Sequence, residues 1–406
     1  MPKKTIWIIN QTAGTFNSGW GERHISLSKY WVLKGYNVKI ISGSYNHLFR
    51  NQPKISNKLL TKEKVEKGIE FYWIKTPKYL NAGFGKYWSN IVFTLKLFFL
   101  PQKEIEKPTI ILVSSMPIFP ILSGAYFKKK YKANKLIFEI RDLWPLTPIY
   151  LKGFSKNHPF IKIVGWFEKF AYKKSDFIVS LLPNAKEYIT DISKNEKKFK
   201  YIPNGIDLVS LENELLPKLI VNKIPNNKFI IGYAGTLGMA NAMEYFFEAS
   251  NKLRENNHIH FVVVGDGPLK HQFENQVKNN ENITFINKIK KSQVQNILAY
   301  FDVCFIGRYD SPLYQYGVSY NKYFDYMLAK KVILESSNLV KDPVELSGCG
   351  IIVKPESAKE IVKAIIKLYD MKTEDKNNFA VKGFEYVTKY HNYKYLSNLY
   401  LEIFNY

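Results

Sequence analysis

DVCFIGRYDSPLYQYGVSYNKYFDYMLAKK, residues 302–331, holds the turn of chain from which the fold can be read. DVCFIG (302–307) is a short apolar run of the kind that makes a buried strand. Pro312, Gly317 and Ser319 break the pattern into a loop. Phe324, Met327 and Leu328 then return at helical spacing. Strand, loop and helix in that order form the repeating unit of a parallel sheet. Backbone N–H groups at a helix start favour an anion, and Lys322 adds a mobile positive charge there. One turn on, Asp325 could accept hydrogen bonds from a pair of hydroxyls such as a ribose diol. Diphosphate plus ribose is what a nucleotide-sugar presents. The competing reading is an ordinary first-turn acid beside a solvated lysine.

The same alternation extends both ways. KVILES (331–336) and CGIIVKP (349–355) continue it downstream. KFIIGYAGTLG (228–238), AMEYFFEASNKLREN (242–256), HIHFVVVGDGP (258–268) and NITFINKIKK (282–291) precede it. Further back, LENELLPKLIVNKIPNNK (211–228) reads as a linker, and before it lies a second set of alternating elements. TIWIIN (5–10) is its first strand, followed by a loop with Gly14, Gly19 and Gly21. A helix runs from near Glu22 to Gly35, and NVKIIS (37–42) is the next strand. These glycines do not form a GxGxxG fingerprint, so the loop reads as room for a substrate.

Residues 43–68 read as a long loop, and IEFYWIK (69–75), TIILVSS (109–115) and SDFIVSLLP (175–183) as strands. KLIFEIRDLWPLTP (135–148) sets Arg141 and Asp142 just beyond a strand's carboxyl end, where open α/β sheets collect their chemistry. That pair could orient an acceptor hydroxyl and a phosphate, or form a structural ion pair. Residues 158–173 have helical periodicity, with Glu168 opposite much of the apolar stripe. The expected architecture is α/β with two Rossmann-like domains facing a cleft. Residues 1–207, with 388–406 packing back on them, would bind acceptor, and 208–387 would bind donor.

At 406 residues, two domains fit the usual size. A net charge of +24, from 59 Lys+Arg against 35 Asp+Glu, points to polyanionic partners. With aromatics at 16%, an anionic membrane surface is attractive among them. Lys128, Lys129, Lys130, Lys132 and Lys135 add to that positive face. The segment 84–101, FGKYWSNIVFTLKLFFLP, has two readings: a core helix buried all round, or a helix partly inserted in lipid. The ten residues 91–100, IVFTLKLFFL, include Lys96 and cannot span a bilayer, which takes roughly 20 apolar residues. Cys304 and Cys349 lack metal-ligand spacing, which suits two buried thiols in a reducing compartment.

The order IPNGID, GYAGTLG, VVVGDGP, DSPLYQYGVSYNKYFDYMLAKK, with FEIRDLWP and SGWGERH earlier, resembles the retaining family-4 glycosyltransferases of the GT-B fold. The likeness is nearest to the branch that builds bacterial surface polysaccharides such as O-antigen and capsule. The resemblance implies a donor site at Gly235, Thr236, Gly265, Arg308, Gly317, Val318, Ser319, Lys322 and Asp325. It implies an acceptor site at Gly19, Trp20, Gly21, Arg141 and Asp142. In the family's E-x7-E pair, Asp325 takes the second place and Gly317 the first, so the Gly317–Ser319 backbone stands in for a carboxylate. The Arg and Lys that many members carry after the glycine loop are missing here, where Thr236 and Met239 stand. Lys322 and Arg308 are the replacements for that charge. The family's usual histidine is absent from SSMP (114–117), which leaves His24 as the histidine near the cleft.

The retaining outcome implies attack on the face the nucleoside diphosphate leaves, with Asp142 and Lys322 as catalytic groups. No DxD motif appears, so neither metal nor other cofactor is expected beyond a UDP-sugar co-substrate. The implied acceptor is a lipid-linked (polyprenyl diphosphate) saccharide, and the sugar could be an N-acetylated deoxyhexose. The implied location is cytoplasmic, peripheral on the inner face of a bacterial plasma membrane. A UDP-sugar epimerase on the same scaffold is the alternative. A nucleic-acid binder would explain the charge, but no nucleic-acid motif is present, and nucleic acid is not an expected partner.

Overall fold

The computed structural model describes residues 4–80, 83–101, 103–209 and 213–406. The chain divides into two compact units, Met1–Asn204 with Tyr393–Tyr406, and Gly205–Asn392. These seams fall a few residues from the expected ones at 207/208 and 387/388. Each unit is built on one sheet, and both units are α/β and Rossmann-like.

In the first unit the strands are β1 (Thr5–Ile9), β2 (Asn37–Gly43), β3 (Leu60–Glu66), β4 (Ile69–Ile74), β5 (Ile110–Ser114), β6 (Lys135–Ile140), β7 (Phe177–Ser180) and β8 (Phe199–Tyr201). Their order is β3-β4-β2-β1-β5-β6-β7-β8, parallel except for β3 on β4. The second unit has β9 (Phe229–Ala234), β10 (Ile259–Val264), β11 (Ile283–Ile286), β12 (Val303–Gly307), β13 (Val332–Ser336) and β14 (Gly350–Val353). Their order is β11-β10-β9-β12-β13-β14. Central strands such as IWII and HFVVV are buried along their whole length, the signature of a sheet covered on both faces.

Strand order reverses direction between β1 and β5 in the first sheet and between β9 and β12 in the second. At such a point neighbouring loops diverge and leave a crevice beyond the strands' carboxyl ends. The loops that the sequence singles out, after β1, β5, β9 and β12, are the ones that flank these two crevices.

The chain's end belongs to the first unit because helix Tyr393–Asn405 supplies apolar cover for helix Arg23–Leu33. Trp31, fully buried, meets the Tyr400 and Phe404 rings edge-on at 5.3 and 5.1 Å. Such aromatic pairs contribute roughly 0.5–1.5 kcal/mol beyond the area they bury.

Three expectations fail. Residues 43–68 are not all loop: LTKEKVE forms β3, an edge strand whose Lys62, Lys64 and Glu66 point to solvent. Charged alternation guards a sheet edge against further pairing and hides the strand from an apolar search. Glu168 is buried rather than turned outward, because the hydroxyls of Tyr172 and Tyr188 donate to it at 3.0 and 2.9 Å. Burial pushes its carboxyl up to about 8. The helix Phe84–Phe98 is not buried all round: Phe93 and Leu97 face the core, while Phe84, Trp88, Ile91 and Leu95 are exposed. Among the described residues no helix is long and apolar enough to cross a membrane. Cys304 and Cys349 are buried free thiols.

Candidate functional site

In the second unit, the loop after β9 and the Gly-Asp-Gly turn after β10 lie backbone against backbone. Leu237 N–H donates to Asp266 O at 2.9 Å and Leu269 N–H to Leu237 O at 3.1 Å. A Cβ on Gly265 would come within 1.9 Å of Gly235 O, and Gly265 has φ 151°. Only glycine fits there, which explains the two glycine motifs as one packed feature.

Helix Asn321–Leu328 follows β12 and carries Lys322 in its first turn. The Lys322 ammonium donates to Asn241 Oδ1 at 2.5 Å and to the Tyr233 hydroxyl at 3.2 Å. It also lies 4.6 Å from the Tyr233 ring centre. Asn241 in turn donates to Thr236 O at 3.0 Å, so Lys322 is tied to the glycine loop. Among the described residues its partners are all neutral. Burial pushes the ammonium down to about 7, and the Arg308 charge adds to that fall. A lysine held beside a glycine loop without a carboxylate is poised to accept an anion.

Asp325, three residues on, reaches a different neighbour. Lys291 pairs with both carboxylate oxygens, at 2.5 and 2.6 Å. The two residues meant to grip one ligand thus share a helix but not a partner. Gly317, with φ 84°, ends the short helix Pro312–Tyr316 and opens the stretch through Val318 and Ser319 that leads into helix Asn321–Leu328.

Arg308, expected at the diphosphate, is wholly buried instead. It pairs with Glu335 at 2.9 Å and donates to Tyr323, whose hydroxyl donates to Glu335 at 2.7 Å. Its guanidinium carbon lies 5.1 Å from the Tyr320 ring centre. β13 delivers Glu335 directly beside β12, so strand pairing fixes this arrangement. Arg308 therefore acts on Lys322 from behind and does not itself reach a ligand.

In the first unit the acceptor candidates sit on the loops after β1 and β6, which lie on either side of β5. Asn10 donates to Ser114 O and Ser115 O at 3.0 and 3.3 Å, joining the loop after β1 to that after β5. Ser115 Oγ accepts from Arg141 N–H at 3.0 Å, joining the loop after β6. Gly19 and Gly21 have positive φ, and a Cβ on Gly21 would meet Thr12 O at 2.5 Å. Trp20 is exposed between them. Asp142 keeps solvent-exposed surface, yet crowding by protein raises its carboxyl above the ordinary value, against the Arg141 and Lys86 charges.

Beneath these loops lies a cluster centred on Glu139. It accepts from Arg23 at 3.0 Å, Ser114 at 2.7 Å and Tyr400, with His24 Nε2 at 3.2 Å. Burial opposes its charge, but the Arg23 guanidinium and His24 hold the carboxyl well below its usual range. Burial also lowers His24 below its ordinary value, against the pull of Glu139. His24 is thus wholly enclosed and spoken for by Glu139. Among the described residues no group of three or more His, Cys, Asp and Glu side chains could hold a metal ion.

The family model described as glycosyl transferases group 1 matches residues 228–371. That span holds the glycine loop, Lys322 and Asp325. The chain carries a glycosyltransferase domain and is a GT-B enzyme. An uncharacterized glycosyltransferase of Methanocaldococcus jannaschii is 26% identical over 290 residues, covering 68% of this chain and 70% of the relative. Among solved structures, sucrose-phosphate synthase from Thermosynechococcus elongatus superposes with TM-score 0.70 at 14% identity, over 99% of this chain and 100% of that one. Anabaena HepE, in complex with UDP and glucose, gives 0.67 at 12% identity over 99% of each chain. The E. coli trehalose-6-phosphate structure bound with UDP-2-fluoro glucose gives 0.73 at 13%, over 98% of each. Likeness at these identities establishes the GT-B fold of the glycosyltransferase.

Proposed function

We propose that this glycosyltransferase moves a sugar, with retention, from a UDP-sugar to a polyprenyl-diphosphate-linked saccharide in surface polysaccharide synthesis. The second unit would take the donor and the first the acceptor, at the inner face of a bacterial membrane. The observation that carries the donor half is Lys322, an ammonium held by neutral oxygens against the Gly235–Thr236 loop. UDP bound in the Anabaena and E. coli neighbours supports uridine as the base.

On this reading the acceptor hydroxyl oxygen forms a bond to the anomeric carbon as the bond from that carbon to the β-phosphate oxygen breaks. The hydroxyl proton passes to the departing phosphate oxygen on the same face. Lys322 stabilises the charge that grows there, where preorganised electrostatics act most strongly. Main-chain N–H groups and Lys322 supply this stabilisation, so the reading assigns no role to a metal and expects transfer to survive EDTA. Asp142 orients the acceptor hydroxyl. Asp325, released from Lys291, would accept the ribose hydroxyls.

The test is transfer of radiolabelled sugar from UDP-sugars to extracted lipid-linked acceptor. Product should form with the wild type and fall steeply with Lys322→Ala while the fold is kept. A Lys322→Ala enzyme as fast as wild type would refute the assignment. A thermal-shift screen across nucleoside diphosphates should show UDP raising the midpoint above GDP.

A further inference from the structure

The first unit carries an apolar groove that neither the fold nor the donor site uses. Helices Phe84–Phe98, Ile121–Tyr131 and Pro159–Lys174 form its walls. It encloses about 560 Å³, with no polar surface facing inward. Tyr87 meets Phe160 edge-on at 5.1 Å and Phe119 meets Phe167 at 4.9 Å, which closes the floor. At its lip Ile91, Leu95 and Ile163 are 41%, 54% and 54% exposed. A lone exposed leucine means little, but a continuous apolar channel on a soluble surface marks a binding site.

The surroundings state what would fill it. Residues 84–174 contain fifteen lysines and one arginine against five carboxylates, and Glu139 and Glu168 among the five are buried. At one end Lys86 lies close enough to Lys152 and Asp142 for their charges to act on one another. Trp144, two residues past Asp142, touches the floor through Phe160 at 6.0 Å. The groove therefore runs from an apolar channel to a cationic end beside Arg141 and Asp142. A protein segment laid there would bring backbone polar groups to a surface that offers them nothing. A hydrocarbon chain with an anionic head fits both ends.

We propose that this groove binds the isoprenoid chain of the acceptor lipid, with its diphosphate at Lys86, Lys152 and Arg141. The inference rests on the lipid-linked acceptor reading above and gives it a place on the first unit.

The experiment measures binding of isopentenyl, farnesyl and geranylgeranyl diphosphate to the whole protein, without detergent. Affinity should rise with chain length, by at least about a hundredfold from isopentenyl to farnesyl, since each buried methylene adds its transfer free energy. Leu95→Asn with Ile163→Asn, both at exposed positions, should flatten that series. Lys86→Ala should weaken every member alike. UDP binding, read by thermal shift, should be unchanged in all variants and so certify the fold. A wild type indifferent to chain length overturns the proposal, as do groove variants that keep the series. Variants that lose only phosphatidylglycerol vesicles and keep the series also overturn it, and make the face a bilayer dock. If UDP binding fails in the wild type as well, the glycosyltransferase donor reading falls with it. If UDP binds and the series is absent, only the groove assignment falls.

Discussion

Each unit buries one arginine–glutamate pair near the carboxyl end of its sheet, and the two pairs are finished differently. Glu139 takes Arg23, Ser114 and Tyr400, with His24 alongside, and Arg23 spends its remaining N–H groups on Pro203 O at 2.5 Å and Ile202 O at 3.0 Å. Arg308 and Glu335 are as deeply buried, yet among the described residues Arg308 Nε and Nη1 and Glu335 Oε2 have no hydrogen-bond partner. Tyrosine rings cover the guanidinium instead, at 5.1 to 5.9 Å. A saturated pair holds loops and the returning C-terminal helix in place. The Arg308 charge is felt by Lys322, adding to the fall that burial causes there. The first cluster is a rivet, and the second biases a site.

The sharpest way to break this contrast is Glu139→Ala. Removing one partner of a buried ion pair leaves the other uncompensated, which costs roughly 3–5 kcal/mol. Denaturant unfolding should show that loss, with Arg23, His24 and Tyr400 stranded together. A variant as stable as wild type would mean that the network contributes little. Next in size, Lys322→Ala should lower the transfer rate by about 10²–10³-fold, the usual cost of removing one transition-state donor. Calorimetric unfolding should meanwhile show a stable fold. Asp325→Ala should weaken UDP binding about tenfold, measured by titration calorimetry, since a hydrogen bond to a charged group is lost.

The smallest effect sharpens the contrast most. With its folded value near 7 against an ordinary 10.5, Lys322 is charged below pH 7 and loses its proton as pH rises through that value. Between about 7 and 10.5 the unfolded chain holds this proton and the folded chain does not, so this group's contribution to stability rises with pH there. Binding has the opposite sign: a diphosphate favours the charged form, so UDP affinity should fall above pH 7 and binding should take up a proton. Lys322→Arg stays charged and should abolish this dependence. A pH profile unchanged by that substitution would mean that Lys322 is not the group whose proton governs UDP binding.

Much of this arrangement was legible in sequence where the signal is local. The apolar runs at 229–234 and 303–307 gave their strands, and Lys322 and Asp325 fell on the expected helix after β12. Their partners were not legible, because Asn241 lies 81 residues from Lys322 and Lys291 lies 34 from Asp325. Glu139 sits inside FEIRD, yet a lone acid in an apolar strand, beside a helix bearing Arg23 and His24, was the available sign. Arg308 was misread because a basic residue at a strand end looks like a ligand group. Only strand pairing shows that Glu335 comes to lie beside it. The Phe84–Phe98 helix is apolar on both faces in sequence, and periodicity alone cannot say which face stays open.

A crystal structure with UDP tests the central claim most directly. The account predicts the diphosphate within hydrogen-bond reach of Lys322 Nζ and the Gly235–Thr236 main chain, with the ribose hydroxyls on Asp325. A diphosphate bound away from Lys322, with Asp325 still paired to Lys291, would contradict it.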